Sequence, residues 1–200
     1  MSLPRIVREN RFLVLDVETT GLNTLRDEVV QIAVVQVDHG RPALRASSYV
    51  QPKRIISDGA LAAHGITWDV LEHAPPLGMV WKDFAALING RCLLGFGLAR
   101  FDVPLLSRQL GEHGLLFEHK ALDVLPWERK FGGKGKHNLK AAAERWGVPV
   151  LAQHDALADC RMTWNVFLQL AQRHPELGEA ELDDVLSVLG PTKLPDDLVI

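Results

Sequence analysis

Two acidic residues, Asp16 and Glu18, lie two positions apart directly after the apolar run Phe12–Leu15. Residues two apart on a strand point to the same side, so a strand at this place holds both carboxylates next to each other. Like charges this close repel and lose hydration unless a cation lies between them. Mg²⁺ and Mn²⁺ prefer such oxygen ligands. The pair predicts a divalent-cation site; the plainer alternative is the polar end of a buried strand.

Three more residues, at later positions in the chain, extend this pattern. Asp102 lies at a strand-to-helix junction, Asp159 in the first turns of the last core helix, and His154 in the loop before that helix. Each alone has a plainer explanation: Asp102 as a helix N-terminal acid favoured by the helix dipole, Asp159 as a surface acid, and His154 as a loop histidine. Since each acid follows or precedes an apolar anchor, we predict that all of them meet in one site.

The motifs that contain these residues resemble a known family over residues 11–171. The matching segments are Asp16–Leu22, Phe101–Leu106, His154–Asp159 and, between them, His64–Thr67 with Pro75. Together they resemble the DEDDh-type 3′–5′ exonucleases of the ribonuclease-H-like superfamily, a family that includes the proofreading subunit of bacterial replicative DNA polymerase. One place departs from the family: Gly97 and Leu98 stand where its members often have His-Asn.

The resemblance implies a metal-dependent exonuclease. It would release nucleoside 5′-monophosphates from the 3′ end of single-stranded nucleic acid, with DNA favoured, using two Mg²⁺ or Mn²⁺ ions. The implied metal ligands are Asp16, Glu18, Asp102 and Asp159, and the implied general base is His154. The implied substrate contacts are Thr19, Thr20, Gly21, Leu22, His64, Trp68 and Phe101. Core packing is an equal alternative for Leu22 and Trp68, and a helix-end hydrogen bond is one for His64.

Several functional alternatives stay open at the level of the sequence. The chain is also compatible with a proofreading subunit that is active only within a DNA polymerase, or with an exoribonuclease that trims RNA. A catalytically silent nucleic-acid-binding module is less favoured, because a scaffold has no reason to keep clustered repulsive charge. The preference for single strands or duplex and the oligomeric state, including a homodimer, are also open.

The elements that must position these residues form an α/β fold. The resemblance implies a ribonuclease-H-like mixed central sheet of about five strands flanked by helices. Tight turns between the first three strands predict an antiparallel meander, and the later strands are expected to be parallel. Predicted strands cover residues 12–17, 28–37, 43–50, 92–97 and 121–125, the last being either a strand or a helix start. Predicted helices cover 58–63, 67–73, 77–88, 139–146 and 156–171, with one more opening at Phe101. Ser57, Asn138 and Asp155 are predicted helix N-caps, and Gly65 and Gly147 predicted helix ends.

Length and charge divide the chain unevenly. Two hundred residues suit one domain, predicted as an exonuclease domain at 1–174 followed by an acidic tail at 175–200 with at most one helix. The tail carries −6 against a total of −3, which leaves +3 for the body, so nucleic acid is a permitted partner. The tail is the expected contact for a polymerase or another protein.

Other features of the sequence bear on location. No apolar run is long enough to cross a membrane, and no secretory signal is present. Cys92 and Cys160 form neither a zinc motif nor a disulfide framework, which favours the cytoplasm. The glycine-rich basic loop Lys130–His137 is either a phosphate-contacting loop or an ordinary surface loop.

Overall fold

A six-stranded mixed sheet forms the centre of the computed structural model, which describes residues 2–115, 117, 119–151 and 155–189. The strands lie in the order β3-β2-β1-β4-β5-β6. The strands are β1 Arg11–Thr19, β2 Val29–Asp38, β3 Arg41–Tyr49, β4 Cys92–Gly95, β5 His119–Asp123 and β6 Ser187–Leu189. The helices are α1 Arg5–Arg8, α2 Asp58–His64, α3 Trp68–Leu71, α4 Leu77–Ile88, α5 Asp102–Gly111, α6 Val124–Phe131, α7 Leu139–Trp146, α8 Ala156–Arg173, α9 Pro175–Gly178 and α10 Leu182–Val185.

The sheet confirms the predicted mixed α/β architecture. β1, β2 and β3 pair antiparallel as a meander, and β4 pairs parallel to β1 and β5 parallel to β4. The carboxyl ends of β1, β4 and β5 therefore lie at one edge of the sheet. This edge is where the residues that follow those three strands can meet.

Strand β1 is buried on both faces, as its continuous apolar run predicts. Phe12 and Val14 pack on the face covered by α8, and Leu13 and Leu15 pack on the face covered by α4 and α5. All four side chains are at most 2% exposed. A strand fixed from both sides gives Asp16 and the residues after it a rigid base.

The helix boundaries follow the predicted capping residues. The side chains of Ser57, Asn138 and Asp155 accept backbone hydrogen bonds at the starts of α2, α7 and α8. Gly65 and Gly147 adopt left-handed conformations after α2 and α7, which residues with a Cβ rarely do.

Three regions differ from the prediction. Helix α1, at Arg5–Arg8, was not predicted. The segment predicted as either a strand or a helix start contains both, since β5 ends at Asp123 and the Asp123 side chain caps α6. In the tail, residues 175–189 form α9, α10 and the added strand β6, which pairs antiparallel with β5. Short helices and a three-residue strand leave too weak a periodic pattern to be seen in the sequence. Among the described residues, no helix combines the length and apolarity that a membrane crossing requires.

Candidate active site

Three carboxylates meet at the carboxyl end of β1. Asp16 and Glu18 leave this strand on one side, as the spacing predicts, and Asp159 reaches them from the first turn of α8. One oxygen from each of the three side chains lies within 4.8 Å of the others. The pairing of β1 with β2 shifts register at this point, since Glu18 pairs with Gln31 and Thr19 with Val29.

Asp102 joins this group electrostatically from the start of α5. It lies outside the 4.8 Å triplet, yet its negative charge acts on both Asp16 and Glu18. The N–H of Val17, between those two residues, stabilises the charged form of Asp102. The carboxyl group of Asp102 is buried, with 6% of the residue exposed. The structure thus brings all four predicted acids to one end of the sheet.

Two polar residues hold the start of α8 in place: the predicted N-cap Asp155, and Gln31, which the sequence did not single out. The Asp155 carboxylate accepts from the N–H groups of Leu157 (2.9 Å) and Ala158 (3.2 Å). The Gln31 side chain of β2 accepts from the N–H of Ala156 at 3.2 Å. Because Gln31 is 8% exposed within a mostly apolar strand, its polarity there was the signal available in the sequence.

Asp123 holds the loop that leads to Asp102. Its carboxylate accepts from the N–H groups of Gly97 (2.8 Å) and Ala99 (3.1 Å), in addition to capping α6. Gly97 has a φ of +80°, a conformation suited to glycine. Leu98 is fully buried and packs against Gly95. The residue that replaces the family's usual asparagine therefore belongs to the core.

Burial and mutual repulsion make the carboxyl groups hard to ionise. Burial, followed by the charges of Asp159 and Asp102, raises the pKa of Glu18 to about 7. Burial also raises the pKa of Asp102 to about 7. The pKa of Asp16 lies well above its ordinary value, again through burial first and then through its acidic neighbours.

Such a cluster fits a divalent cation. A bound cation offsets the repulsion between the carboxylates and replaces the hydration that burial removes. Oxygen ligands from Asp16, Glu18 and Asp159 are those that hard divalent ions select. The donor set therefore matches a divalent metal.

We expect the stability of the metal-free protein to fall as the pH rises from about 4.5 to about 7. A carboxyl group whose pKa is raised on folding binds its proton more tightly in the folded state. The folded state then holds more protons in this window, so the free energy of unfolding decreases with pH. Mn²⁺ should reverse the loss, with a Tm gain at pH 8 of about 5–10 °C at 100 times its Kd.

Thermal unfolding in EDTA and in Mn²⁺, at pH 5 and pH 8, measures this effect. Asp16→Asn should lose most of the response to Mn²⁺, whereas Asp83→Asn, at an exposed acid of α4, should keep it. A Tm gain equal at both pH values and in both variants would contradict the metal site.

A groove of about 1010 Å³ begins beside Glu18. It runs between the loop after β1 and helix α2, and its lining includes the predicted contacts Thr19, Gly21, Leu22, His64 and Phe101. Leu22 is 88% exposed, so core packing does not explain this side chain. The groove is open to solvent.

The other predicted contacts have mixed surroundings. His64 Nδ1 accepts from the N–H of Ile66 (3.0 Å), and its Nε2 lies 3.1 Å from the carbonyl oxygen of Thr19. Thr20 is buried, and its hydroxyl accepts from the N–H of Glu28. Trp68 is 46% exposed and is not among the residues that line the groove. The substrate roles of these residues stay predictions, as does the role of His154, which lies outside the described residues.

Helix α5 also fastens the outer wall of the groove. Arg108 donates from Nε to the carbonyl oxygen of Thr24 (2.9 Å) and from a second nitrogen to that of Asp27. Gln109 accepts from the N–H of Val29 at 2.9 Å. The helix that begins at Asp102 therefore contributes to the acidic cluster at its own start and also holds the loop after β1.

The mixed sheet, with four acids at the carboxyl ends of its strands, has the architecture expected of a ribonuclease-H-like fold. A family model described as Exonuclease matches residues 13–167. The chain belongs to this exonuclease family.

By sequence, the chain matches parts of larger proteins. The PolC-type DNA polymerase III of Caldanaerobacter subterraneus subsp. tengcongensis is 28% identical over 90% of this chain and 13% of its own length. A DNA polymerase III subunit epsilon-like protein of Rhodobacter capsulatus is 37% identical over 80% of this chain and 23% of its own length. The chain thus spans less than a quarter of these proteins.

Solved structures share the fold. Escherichia coli exonuclease I in complex with a dT13 oligonucleotide has a TM-score of 0.76 at 20% identity, covering 84% of this chain and 42% of that one. Exonuclease X in complex with 5′ overhanging duplex DNA has a TM-score of 0.71 at 21% identity, covering 90% of this chain and 99% of that one. The match therefore takes in nearly all of the exonuclease X chain in that structure.

Proposed function

We propose that this chain is a metal-dependent 3′–5′ exonuclease that removes nucleoside 5′-monophosphates from single-stranded nucleic acid. The observation that carries the proposal is the triplet of carboxylate oxygens within 4.8 Å, in a chain of the exonuclease family. The open groove beside Glu18 supports it, because a single strand end can reach the triplet there. DNA is favoured over RNA because the relatives by sequence are a DNA polymerase III and a protein similar to a subunit of DNA polymerase III.

The carboxylates would share the metal between them. Asp16 would contact both of two Mg²⁺ or Mn²⁺ ions, Glu18 and Asp159 would complete one site, and Asp102 would support the other. When bound, the two ions supply an acidified water and neutralise charge on the leaving oxygen. The raised pKa of Glu18 and of Asp102 supports this role, because these groups become stable as anions when a cation is near.

The remaining steps belong to the protein. His154 would accept the proton of the attacking water, for which its ordinary pKa near neutrality is suited. Backbone groups of Thr19–Gly21 would hold the terminal sugar and phosphate. The exposed Leu22 and the half-buried Phe101 would contact the terminal base from the groove wall.

A proofreading role within a polymerase is the second candidate. It is favoured by the PolC-type and epsilon-like relatives, of which the chain spans only a part. A polymerase contact through residues 175–200, a homodimer and a cytoplasmic location stay predictions. So does the division of the chain after residue 174.

Incubation of the purified chain with Mn²⁺ and a 3′-labelled single-stranded DNA tests the proposal. We expect labelled nucleoside 5′-monophosphate as the first product and no release in EDTA. The same DNA labelled at its 5′ end should give a ladder of shortening products. Internal cuts, or no release at millimolar Mn²⁺ or Mg²⁺, would contradict it. RNA of the same sequence, assayed in parallel, measures the preference for the sugar.

A further inference from the structure

A basic segment borders the groove on the side of α2. This segment, residues 51–57, connects β3 to α2 and includes Lys53, Arg54 and Ile55. Its last residue, Ser57, lines the groove, and the Ser57 N–H donates to the carbonyl oxygen of Thr20 at 2.9 Å. The C-terminal end of the segment therefore lies at the groove, where the 3′ end of the nucleic acid would be bound.

A buried carboxylate holds the basic segment in shape. Glu28 is 9% exposed, and its Oε2 accepts from the N–H groups of Lys53 (2.5 Å) and Arg54 (3.1 Å). The backbone of Glu28 is itself bonded to Thr20, through its carbonyl oxygen (2.8 Å) and its N–H (3.0 Å). The segment is thus fixed to the residues that follow the metal-site strand.

This arrangement leaves the two cationic groups available. The Glu28 carboxylate accepts hydrogen bonds from the backbone N–H groups of Lys53 and Arg54 and forms no ion pair with the basic side chains of those two residues. Within the parts of the chain that the structure describes, neither the Lys53 ammonium nor the Arg54 guanidinium takes part in an ion pair or hydrogen bond. Both residues are exposed, and Ile55 next to them is 92% exposed.

We propose that Lys53, Arg54 and Ile55 form a track for the nucleic-acid strand on the 5′ side of its bound terminal nucleotide. Two cations followed by an apolar side chain match the alternating phosphates and bases of a single strand. Because the buried Glu28 carboxylate holds the backbone of Lys53 and Arg54, the spacing of the track is fixed before the nucleic acid binds. This inference rests on the proposed function for the place of the 3′ end beside Glu18.

The other basic segment, Lys130–His137, lies far from the carboxylates. The ring of Phe131 stacks on His174, with centroids 3.8 Å apart, at the C-terminal end of α8. Asp159 is at the opposite end of that helix, about 22 Å away at 1.5 Å per residue. The chain therefore offers a matched pair of basic positions, Lys134 and Lys136, as a control.

The test is the salt dependence of binding of a fluorescein-labelled 12-nucleotide single-stranded DNA, measured by anisotropy in EDTA. On a single strand each phosphate contact contributes about 0.7 to the slope of log K against log salt. We expect Lys53→Ala/Arg54→Ala to reduce the magnitude of this slope by about 1.4. Over a tenfold rise in salt, the affinity of the variant should therefore fall about 25-fold less than that of the wild type. Lys134→Ala/Lys136→Ala should keep the wild-type slope.

A charge-preserving variant separates charge from structure. Lys53→Arg/Arg54→Lys should bind as the wild type does, with the Tm of each variant confirming the fold. An unchanged slope in Lys53→Ala/Arg54→Ala, equal losses in both alanine pairs, or no binding by the wild type would overturn the track. Binding in EDTA needs no catalysis, so a chain with the track and no nuclease activity would contradict the proposed function alone.

Discussion

Asp16→Asn should reduce kcat/KM for the release of 3′-terminal nucleotides by about 10³-fold or more. Metal ions contribute several kcal/mol to stabilising charge in a transition state, and each 1.36 kcal/mol corresponds to a factor of about ten. In the proposed site Asp16 would help to hold both ions, so its loss should weaken both. Initial rates with Mn²⁺ and a labelled single-stranded DNA measure the effect.

The same variant should be at least as stable as the wild type in EDTA at pH 8. Burial and neighbouring acids penalise the charge of Asp16, and asparagine keeps the shape without that charge. A loss of activity with an unchanged or raised Tm separates a functional role from a structural one. Asp83→Asn, at an exposed acid of α4, should change neither. An active Asp16→Asn would remove Asp16 from the metal site.

His154→Ala should lower kcat by about 10²–10⁴, the usual contribution of a positioned general base. The response of Tm to Mn²⁺ should persist, because the implied role of His154 is to accept a proton, and the four acids remain. Single-turnover rates with saturating Mn²⁺ distinguish this loss from weaker binding.

His73 provides the control for His154. Its side chain is 88% exposed, in the turn directly after α3, so His73→Ala should leave kcat within twofold of the wild type. If His154→Ala has an unchanged kcat, another group must accept the proton. If instead it loses the Mn²⁺ response, His154 is part of the metal site.

The sequence was most informative where one residue type allows few structures. The run Phe12–Leu15 could only be a strand buried on both faces, and the period of two then placed Asp16 and Glu18 together. Capping side chains such as Asp155 and left-handed glycines such as Gly147 fixed the ends of helices for the same reason. These local rules were sufficient to predict the central strands and the main helices.

The sequence was least informative where the outcome depends on distant contacts. That Asp123 would hold the Gly97 and Ala99 N–H groups, or that Gln31 would cap α8, follows from how β5 and β2 lie beside those loops. Leu98 illustrates the same limit. Its position is one where the family often has asparagine, and the sequence alone did not show that this side chain is buried in the core after the turn at Gly97.

The number of Mn²⁺ ions bound per chain tests the central claim most directly. Titration of the purified protein at pH 8, with free Mn²⁺ followed by electron paramagnetic resonance and a nucleoside 5′-monophosphate present, counts them. If the carboxylates at the end of β1 hold a pair of dications, the wild type should bind two Mn²⁺ ions. Asp16→Asn should bind Mn²⁺ more weakly and incompletely. No bound Mn²⁺ at millimolar concentration, or equal binding by both proteins, would contradict the account.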